Sequence, residues 1–230
     1  MKLPTSDSTG KHRILVADDH PLLREGVVQL INRQDDLVCC GEANSASSAR
    51  TAVMEHRPDL ILLDLRMGGA DGFDLIRSLK TGFPETPVLI LSQYDEALYI
   101  QRALRAGASG YVTKEQATEE VLSAIRAVLA GDTYLSSNIS QRVLQKIVGP
   151  PGGGKAGGVD GLTDRELHVF HLIGSGKSTK EIAGELNVSF STIETHRENI
   201  KRKLDLGSSH ELTQFAEAWL SRRERPPDGK

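Results

Sequence analysis

Leu60–Asp64 reads Leu-Ile-Leu-Leu-Asp: four aliphatic residues in succession deliver one carboxylate at their end. An unalternating apolar run this short suits a strand buried on both faces of a parallel sheet. In such sheets ligands gather at the carboxyl ends of the strands, which puts Asp64 at the functional rim. The flanking sequence repeats the arrangement. Arg13–Ala17 is an apolar run ending in Asp18-Asp19, Val88–Leu91 one ending in Ser92, and Gly110–Thr113 a short one leading to Lys114; Leu37–Cys40 completes the set. Between them the apolar spacing is helical over 21–32, 45–56, 73–80, 96–106 and 118–130. Alternating strands and helices imply right-handed crossovers and a flavodoxin-like, doubly wound, five-stranded parallel sheet.

The polar groups at the strand ends then share one rim. Three carboxylates there, Asp18, Asp19 and Asp64, require a counter-charge. A hard divalent cation such as Mg²⁺ supplies it through oxygen ligands. The hydroxyl of Ser92 and the ammonium of Lys114 are suited to holding phosphoryl oxygens, so the rim describes a carboxylate that accepts a phosphoryl group and keeps it as an acyl phosphate.

The 230 residues suffice for two cored domains, and charge is unevenly spread between them. Residues 1–132 carry net −5 (14 basic against 19 acidic side chains) and residues 133–230 net +2 (14 against 12). The only cysteines, Cys39 and Cys40, are adjacent in an apolar run and read as buried strand residues in a reducing compartment. The N-terminus is polar, without the apolar core of a signal peptide, and no run is long enough for a bilayer. These features lead us to expect a cytoplasmic protein without membrane contact.

Behind the sheet domain, Tyr134–Val148 has helical spacing after possible caps Ser136 and Ser137, and Gly149–Gly161 is a Gly/Pro-rich linker. Two stretches imitate a phosphate-binding loop. Gly149–Ala156 ends in Ala156 where a hydroxyl should hold Mg²⁺, and Gly174–Thr179 follows a helical segment, not a strand. Linker and inter-helix turn are the better readings. From Leu162 onward everything is helical. Thr163–Glu166 and Ser178–Glu181 are capping boxes, Asn187–Ser189 is a tight turn, and helices follow over 190–203 and 208–220. Two helices joined by a tight turn, the second carrying several basic residues, fit a helix-turn-helix in an all-α four-helix domain. On the helix over 190–203, Ile193, Ile200 and Leu204 form a core stripe opposite Ser191, Thr195, Glu198 and Arg202.

Residues 13–130 resemble the receiver domain of bacterial two-component response regulators, carried by Asp18-Asp19, Asp64, Ser92, Tyr111 and Lys114 in order. From Leu162, the residues Leu162-Thr163, Arg165-Glu166, Gly176, Lys180–Ala183, Leu186, Ser189, Thr192-Ile193, His196, Asn199-Ile200 and Lys203-Leu204 resemble the LuxR-type DNA-binding domain. Together the chain resembles a NarL/FixJ-type response regulator, with a receiver over 11–132, a connecting helix and linker over 133–161 and a helix-turn-helix domain over 162–221. The resemblance implies a transcription regulator, not an enzyme. Asp64 is then phosphorylated by a sensor histidine kinase. Asp18, Asp19, Asp64 and the carbonyl of Arg66 hold Mg²⁺, Ser92 and Lys114 contact the phosphoryl group, and Tyr111 turns inward when Ser92 moves. It further implies that the helix over 190–203 enters the major groove of promoter DNA. There Lys180, Thr192, His196, Asn199 and Lys203 mainly meet phosphates, and Glu194, Thr195 and Glu198 face the bases. A homodimer in the phosphorylated state, contact with RNA polymerase and a dimer surface on the last helix are also implied. The chain departs from the common pattern at Gly68-Gly69 after Met67, at Gln93, at Glu115 after Lys114, and at Thr179 in place of asparagine. Two rival readings are a phosphohydrolase using Asp64 as nucleophile, and a receiver that signals by contact without phosphorylation. Haloacid-dehalogenase-type hydrolases place a second carboxylate two residues after the nucleophile, and here that position is Arg66.

Overall fold

The structure, a computed structural model, describes residues 10–67, 70–115, 118–136, 139–141 and 158–224. The chain divides into two compact units, Met1–Val148 and Gly149–Lys230. Most of the Gly/Pro-rich linker, residues 149–157, and most of the connecting helix lie outside the described residues.

The first unit runs β1 (His12–Ala17), α1 (Pro21–Asn32), β2 (Leu37–Ala43), α2 (Ala46–His56), β3 (Leu60–Leu63), a two-residue pairing of β4 (Arg66–Met67) with β5 (Ala70–Asp71), and α3 (Gly72–Gly82). It continues with β6 (Val88–Ser92), α4 (Ala97–Ala106), β7 (Gly110–Thr113), α5 (Thr118–Leu129) and β8 (Tyr134–Leu135). The main sheet is wholly parallel in the order β2-β1-β3-β6-β7-β8. After β1 the chain turns to one side for β2 and returns on the other for β3, so the strand order reverses between β1 and β3. That reversal opens a crevice at their carboxyl ends. Register places Ala17 opposite Leu63, so the residues that follow them, Asp18 and Asp64, emerge side by side.

Alternation along the strands divides the core into two layers. Ile14, Val16, Leu60, Leu62, Leu89, Leu91 and Val112 are buried with Val27 and Ile31 of α1 and with Val121, Ala124, Ile125 and Val128 of α5. Leu15, Ile61, Leu63, Val88, Ile90 and Tyr111, on the other face, are equally buried, and so are Ala49, Val53, Leu75, Ile76, Leu79, Tyr99 and Ile100 on α2–α4. Each such aliphatic side chain contributes about 1.5–3 kcal/mol, enough to hold charged strand ends in place.

Two expectations change. The sheet has six strands, because Tyr134–Leu135 pairs in parallel with Gly110-Tyr111 before the helical turn at 139–141 begins. Cys39 and Cys40 are half-buried, because β2 is an edge strand.

The second unit opens with a 3₁₀ turn, Val159–Gly161, followed by α6 (Asp164–Gly174), α7 (Thr179–Glu185), α8 (Phe190–Leu204) and α9 (Ser209–Glu224). Both predicted capping boxes form: Thr163 with Glu166 opens α6, and Ser178 with Glu181 opens α7. Ser175-Gly176, part of the second phosphate-loop imitation, is the turn between them, with Gly176 at φ +79°. The core comprises Leu167, Phe170, Leu172 and Ile173 of α6, Ile182 and Ala183 of α7, Leu186, Ile193 and Ile200 of α8, and Leu212 and Ala216 of α9. Phe170 meets Trp219 edge-on at 5.5 Å. Leu204 is only half-buried, so the core stripe of α8 ends at Ile200. No helix among the described residues is long and apolar enough to cross a membrane.

Candidate functional site

The rim follows from the strands beneath it. Asp64 leaves β3 with its amide donating to the Ala17 carbonyl at 2.8 Å, and its side chain is 2 % exposed. Asp18, 3 % exposed, stands beside it at the end of β1. Lys114 leaves β7 with its amide held by the Ser92 carbonyl at 2.8 Å. Its Nζ donates to Asp64 Oδ2 at 2.7 Å and to Asp18 Oδ2 at 2.8 Å. The counter-charge that three carboxylates demand is thus partly built in. Burial pushes the Asp64 carboxyl up to about 6; Lys114 pulls against this, Asp18 adds to it, and the amide of Arg66, donating to Oδ1 at 3.1 Å, lowers it. A carboxylate so poorly solvated gains from any further cation or from losing its charge.

Ser92 is fully buried at the end of β6, and its Oγ accepts from the Tyr94 amide at 3.2 Å. Tyr111 lies inward with no exposed surface. Its hydroxyl donates to the Tyr94 carbonyl at 2.6 Å and also engages the Ser92 side chain. Tyr94 and Tyr99 stack at 4.3 Å, and Phe73 closes the row at 6.1 Å from Tyr99. Gln93 is exposed. Gly68-Gly69 lies outside the described residues.

The sequence reading passed over His20, which follows Asp18-Asp19 at the start of α1. Its Nδ1 is 2.9 Å from Asp19 Oδ1, 3.2 Å from Asp18 Oδ1 and 3.8 Å from Asp64 Oδ2, while Nε2 faces the Arg66 guanidinium at 3.2 Å. Ligand-type atoms of Asp18, Asp19, His20 and Asp64 all lie within 4.8 Å of one another. Three carboxylates converging at that spacing are a donor set suited to one hard divalent cation. The signal available in sequence was three adjacent ligand-type residues, read only as a pair.

In the second unit, Lys180, Thr195 and Glu198 are exposed, and Thr192, Glu194, His196, Asn199 and Lys203 are half-buried. Ser191, Thr195, Glu198 and Arg202 line the exposed side of α8, as the helical wheel predicts. Several of these groups have internal partners, among them Glu198, whose Oε1 is 2.8 Å from Lys201 Nζ. The Thr179 hydroxyl donates to Glu194 Oε1 at 3.0 Å. Arg202 donates to Asn199 Oδ1 at 3.0 Å. Lys203 Nζ donates to Glu166 Oε2 at 2.6 Å, so a residue expected at phosphates also braces the first helix of its own domain. Burial holds His196 below its ordinary value, with Arg165 adding to the effect.

A parallel-sheet module with an acidic, lysine-bearing rim, followed in the same chain by a helix-turn-helix, defines a signal-receiving DNA-binding regulator. Two protein-family models match in that order: the response regulator receiver domain over residues 14–126, and bacterial regulatory proteins of the luxR family over residues 160–216. The chain is 36 % identical over 208 residues to the oxygen regulatory protein NreC of Staphylococcus carnosus, covering 89 % of this chain and 96 % of that protein. Among solved structures, it resembles a LuxR-family two-component response regulator from Aurantimonas sp. SI85-9A1 at 34 % identity and TM-score 0.58, over 60 % of this chain and 99 % of that one. The RcsB response regulator of Salmonella typhimurium shares the fold over 91 % of this chain and 98 % of its own, with TM-score 0.67 at 23 % identity. The protein belongs to the NarL/FixJ-type two-component response regulators, transcription regulators that join a receiver domain to a LuxR-type helix-turn-helix.

Proposed function

We propose that Asp64 is the phosphoacceptor of this regulator and that its phosphorylation controls dimerisation and sequence-specific binding to promoter DNA. The observation that carries this reading is the buried Asp64 carboxylate at the β1/β3 crevice, 2.7 Å from Lys114 and beside a second buried carboxylate. In the transfer, an Asp64 oxygen attacks the phosphorus of a sensor kinase's phosphohistidine. The P–N bond breaks as the P–O bond forms, and the departing imidazole takes up a proton. Lys114 can follow the charge from the carboxylate onto the phosphoryl oxygens, and the Ser92 hydroxyl is placed on the adjacent strand to donate to one of them. Asp18, Asp19 and Asp64, with the carbonyl of Arg66, would hold Mg²⁺, which supplies charge neutralisation and a template for the phosphoryl oxygens. Once Ser92 is drawn to the phosphoryl group, the contact between its side chain and Tyr111 changes, which passes the event to the α4–β7 face.

In the DNA-binding unit, the exposure of Thr195 and Glu198 on α8 supports their reading base edges, and the exposure of Lys180 supports its meeting phosphates. A homodimer on paired half-sites, with α9 as the contact and RNA polymerase as the downstream partner, completes the reading. Incubation with a small-molecule phosphodonor and Mg²⁺ should label the intact chain, and Asp64→Asn should abolish the label. Label persisting at another residue would refute the assignment. Steady turnover of phosphate esters would instead favour a hydrolase, against which Arg66 already stands where a second catalytic carboxylate belongs.

A further inference from the structure

We propose that His20 is a protein ligand of the metal site, contributing an imidazole nitrogen beside the acidic residues and tilting the site toward divalent cations that accept nitrogen. This rests on the proposed role of the acidic rim in holding a cation. The argument begins with distances. Ligand atoms at right angles on a cation with bonds of roughly 2.1 Å stand about 3.0 Å apart. His20 Nδ1 lies 2.9 Å from Asp19 Oδ1 and 3.2 Å from Asp18 Oδ1, the separation of neighbouring ligands on one ion, and 3.8 Å from Asp64 Oδ2. The ring is held there by its chain position: the His20 amide donates to Asp18 Oδ1 at 2.8 Å, and Pro21 starts α1 immediately after it. Its side chain retains 39 % exposure, so an arriving ion can reach it.

The hydrogen-bonding partners describe how the ring changes task. A guanidinium can only donate, so Arg66, 3.2 Å away, makes Nε2 an acceptor and leaves the ring proton on Nδ1. That proton points at the Asp18 carboxylate and stands where a cation is needed. Ligation reverses the tautomer: Nδ1 gives its lone pair to the metal, and Nε2 takes up the proton and no longer accepts from Arg66. Ligation therefore ends the contact between Arg66 and His20 Nε2. A site of carboxylates alone favours Mg²⁺-like chemistry, whereas an imidazole ligand raises affinity along the series Mn²⁺, Co²⁺ and beyond.

The test uses the full chain with MgCl₂, MnCl₂ or CoCl₂ alone. Electron spin-echo spectra of the Mn²⁺-loaded protein should show coupling to a directly bound imidazole nitrogen, and His20→Ala should abolish it. The preference for Mn²⁺ over Mg²⁺, from competition titrations, should fall by about tenfold in His20→Ala, with a smaller change in Mg²⁺ affinity. Spectra of the unaltered protein without nitrogen coupling, or a preference ratio unchanged by His20→Ala, would overturn the proposal. Asp19→Asn and Asp64→Asn separate it from the reading beneath it. If both bind Mn²⁺ and Mg²⁺ like the unaltered chain, the acidic rim is not the metal site and both readings fail.

Discussion

Asp64 is a residue in electrostatic conflict, and the conflict has a measurable sign. Burial raises its carboxyl to about 6 despite Lys114, whereas the unfolded chain releases that proton near the ordinary value of 3.8. Between those two values the folded state holds a proton that the unfolded state has lost, so stability falls as pH rises from about 4 to about 6 and stays low above. In metal-free buffer, urea titration of the intact protein should find the receiver less stable at pH 7.5 than at pH 5, by about 1.4 kcal/mol. Asp64→Asn should flatten the difference, and Mg²⁺ should restore stability at the higher pH only in the unaltered chain. The same scale governs the proposed base reading. Because Thr179 donates to Glu194 at 3.0 Å, one carboxylate oxygen is oriented from within the domain and the other is left to accept. Thr179→Ala should therefore relax preference at a single base pair, by about 1 kcal/mol, in a binding-site selection experiment while leaving non-specific DNA affinity unchanged. A uniform loss across all sequences would show that Thr179 serves only as structure.

Elements are joined at a few points of close approach. A Cβ at Gly72, the first residue of α3, would overlap the backbone of Leu65 just beyond Asp64. A Cβ at Gly174 would come within 2.7 Å of the Ala216 carbonyl oxygen, where α6 meets α9. Neither obstacle is a flexible side-chain end, so Gly72→Ala and Gly174→Ala should each cost about 2 kcal/mol or more, read from denaturant midpoints of the corresponding unit. Glu166 joins α6 to α8 by capping Thr163 and accepting from Lys203. Burial alone would raise its carboxyl, but the bonds from Lys203 and Thr163 hold it below the ordinary value of 4.5. Its contribution is present above that value and lost as pH falls through the lowered one. Glu166→Gln should cost about 1–2 kcal/mol at neutral pH and almost nothing in strong acid. These joints mark the limit of what local sequence can say. The strands ending in Asp18, Asp64, Ser92 and Lys114 were legible because an apolar run closed by one polar residue is a local pattern. The capping boxes were legible for the same reason. Strand order is non-local, so the exposure of Cys39 and Cys40 on the edge strand β2 could not be foreseen. Strand β8 exists only because β7 leaves an edge free for two residues. The Lys203–Glu166 pair spans 37 positions, and no periodicity connects them. His20 was hidden differently, since a lone imidazole after two carboxylates acquires meaning only when β3 brings Asp64 alongside.

For the whole molecule, the proposed regulation is a coupling free energy between Asp64 in one unit and α8 in the other, and coupling is reciprocal. If a phosphoryl group at Asp64 raises DNA affinity by some factor, bound DNA must raise affinity for a phosphoryl mimic by the same factor. A factor of 10–100, about 1.4–2.8 kcal/mol, is typical of such linkages. Beryllofluoride with Mg²⁺ can occupy the acceptor site as the mimic while promoter DNA is titrated, and the roles can then be exchanged. The DNA arm should also weaken steeply with salt, since phosphate contacts dominate its affinity. Salt must therefore be held constant across both arms, and protein concentration must be varied to separate dimerisation from DNA contact. The expected result is one coupling factor measured twice, lost from both arms in Asp64→Asn. Equal mimic affinity with and without DNA would mean that α8 and Asp64 are not linked, and control of DNA binding would have to be sought outside the receiver rim.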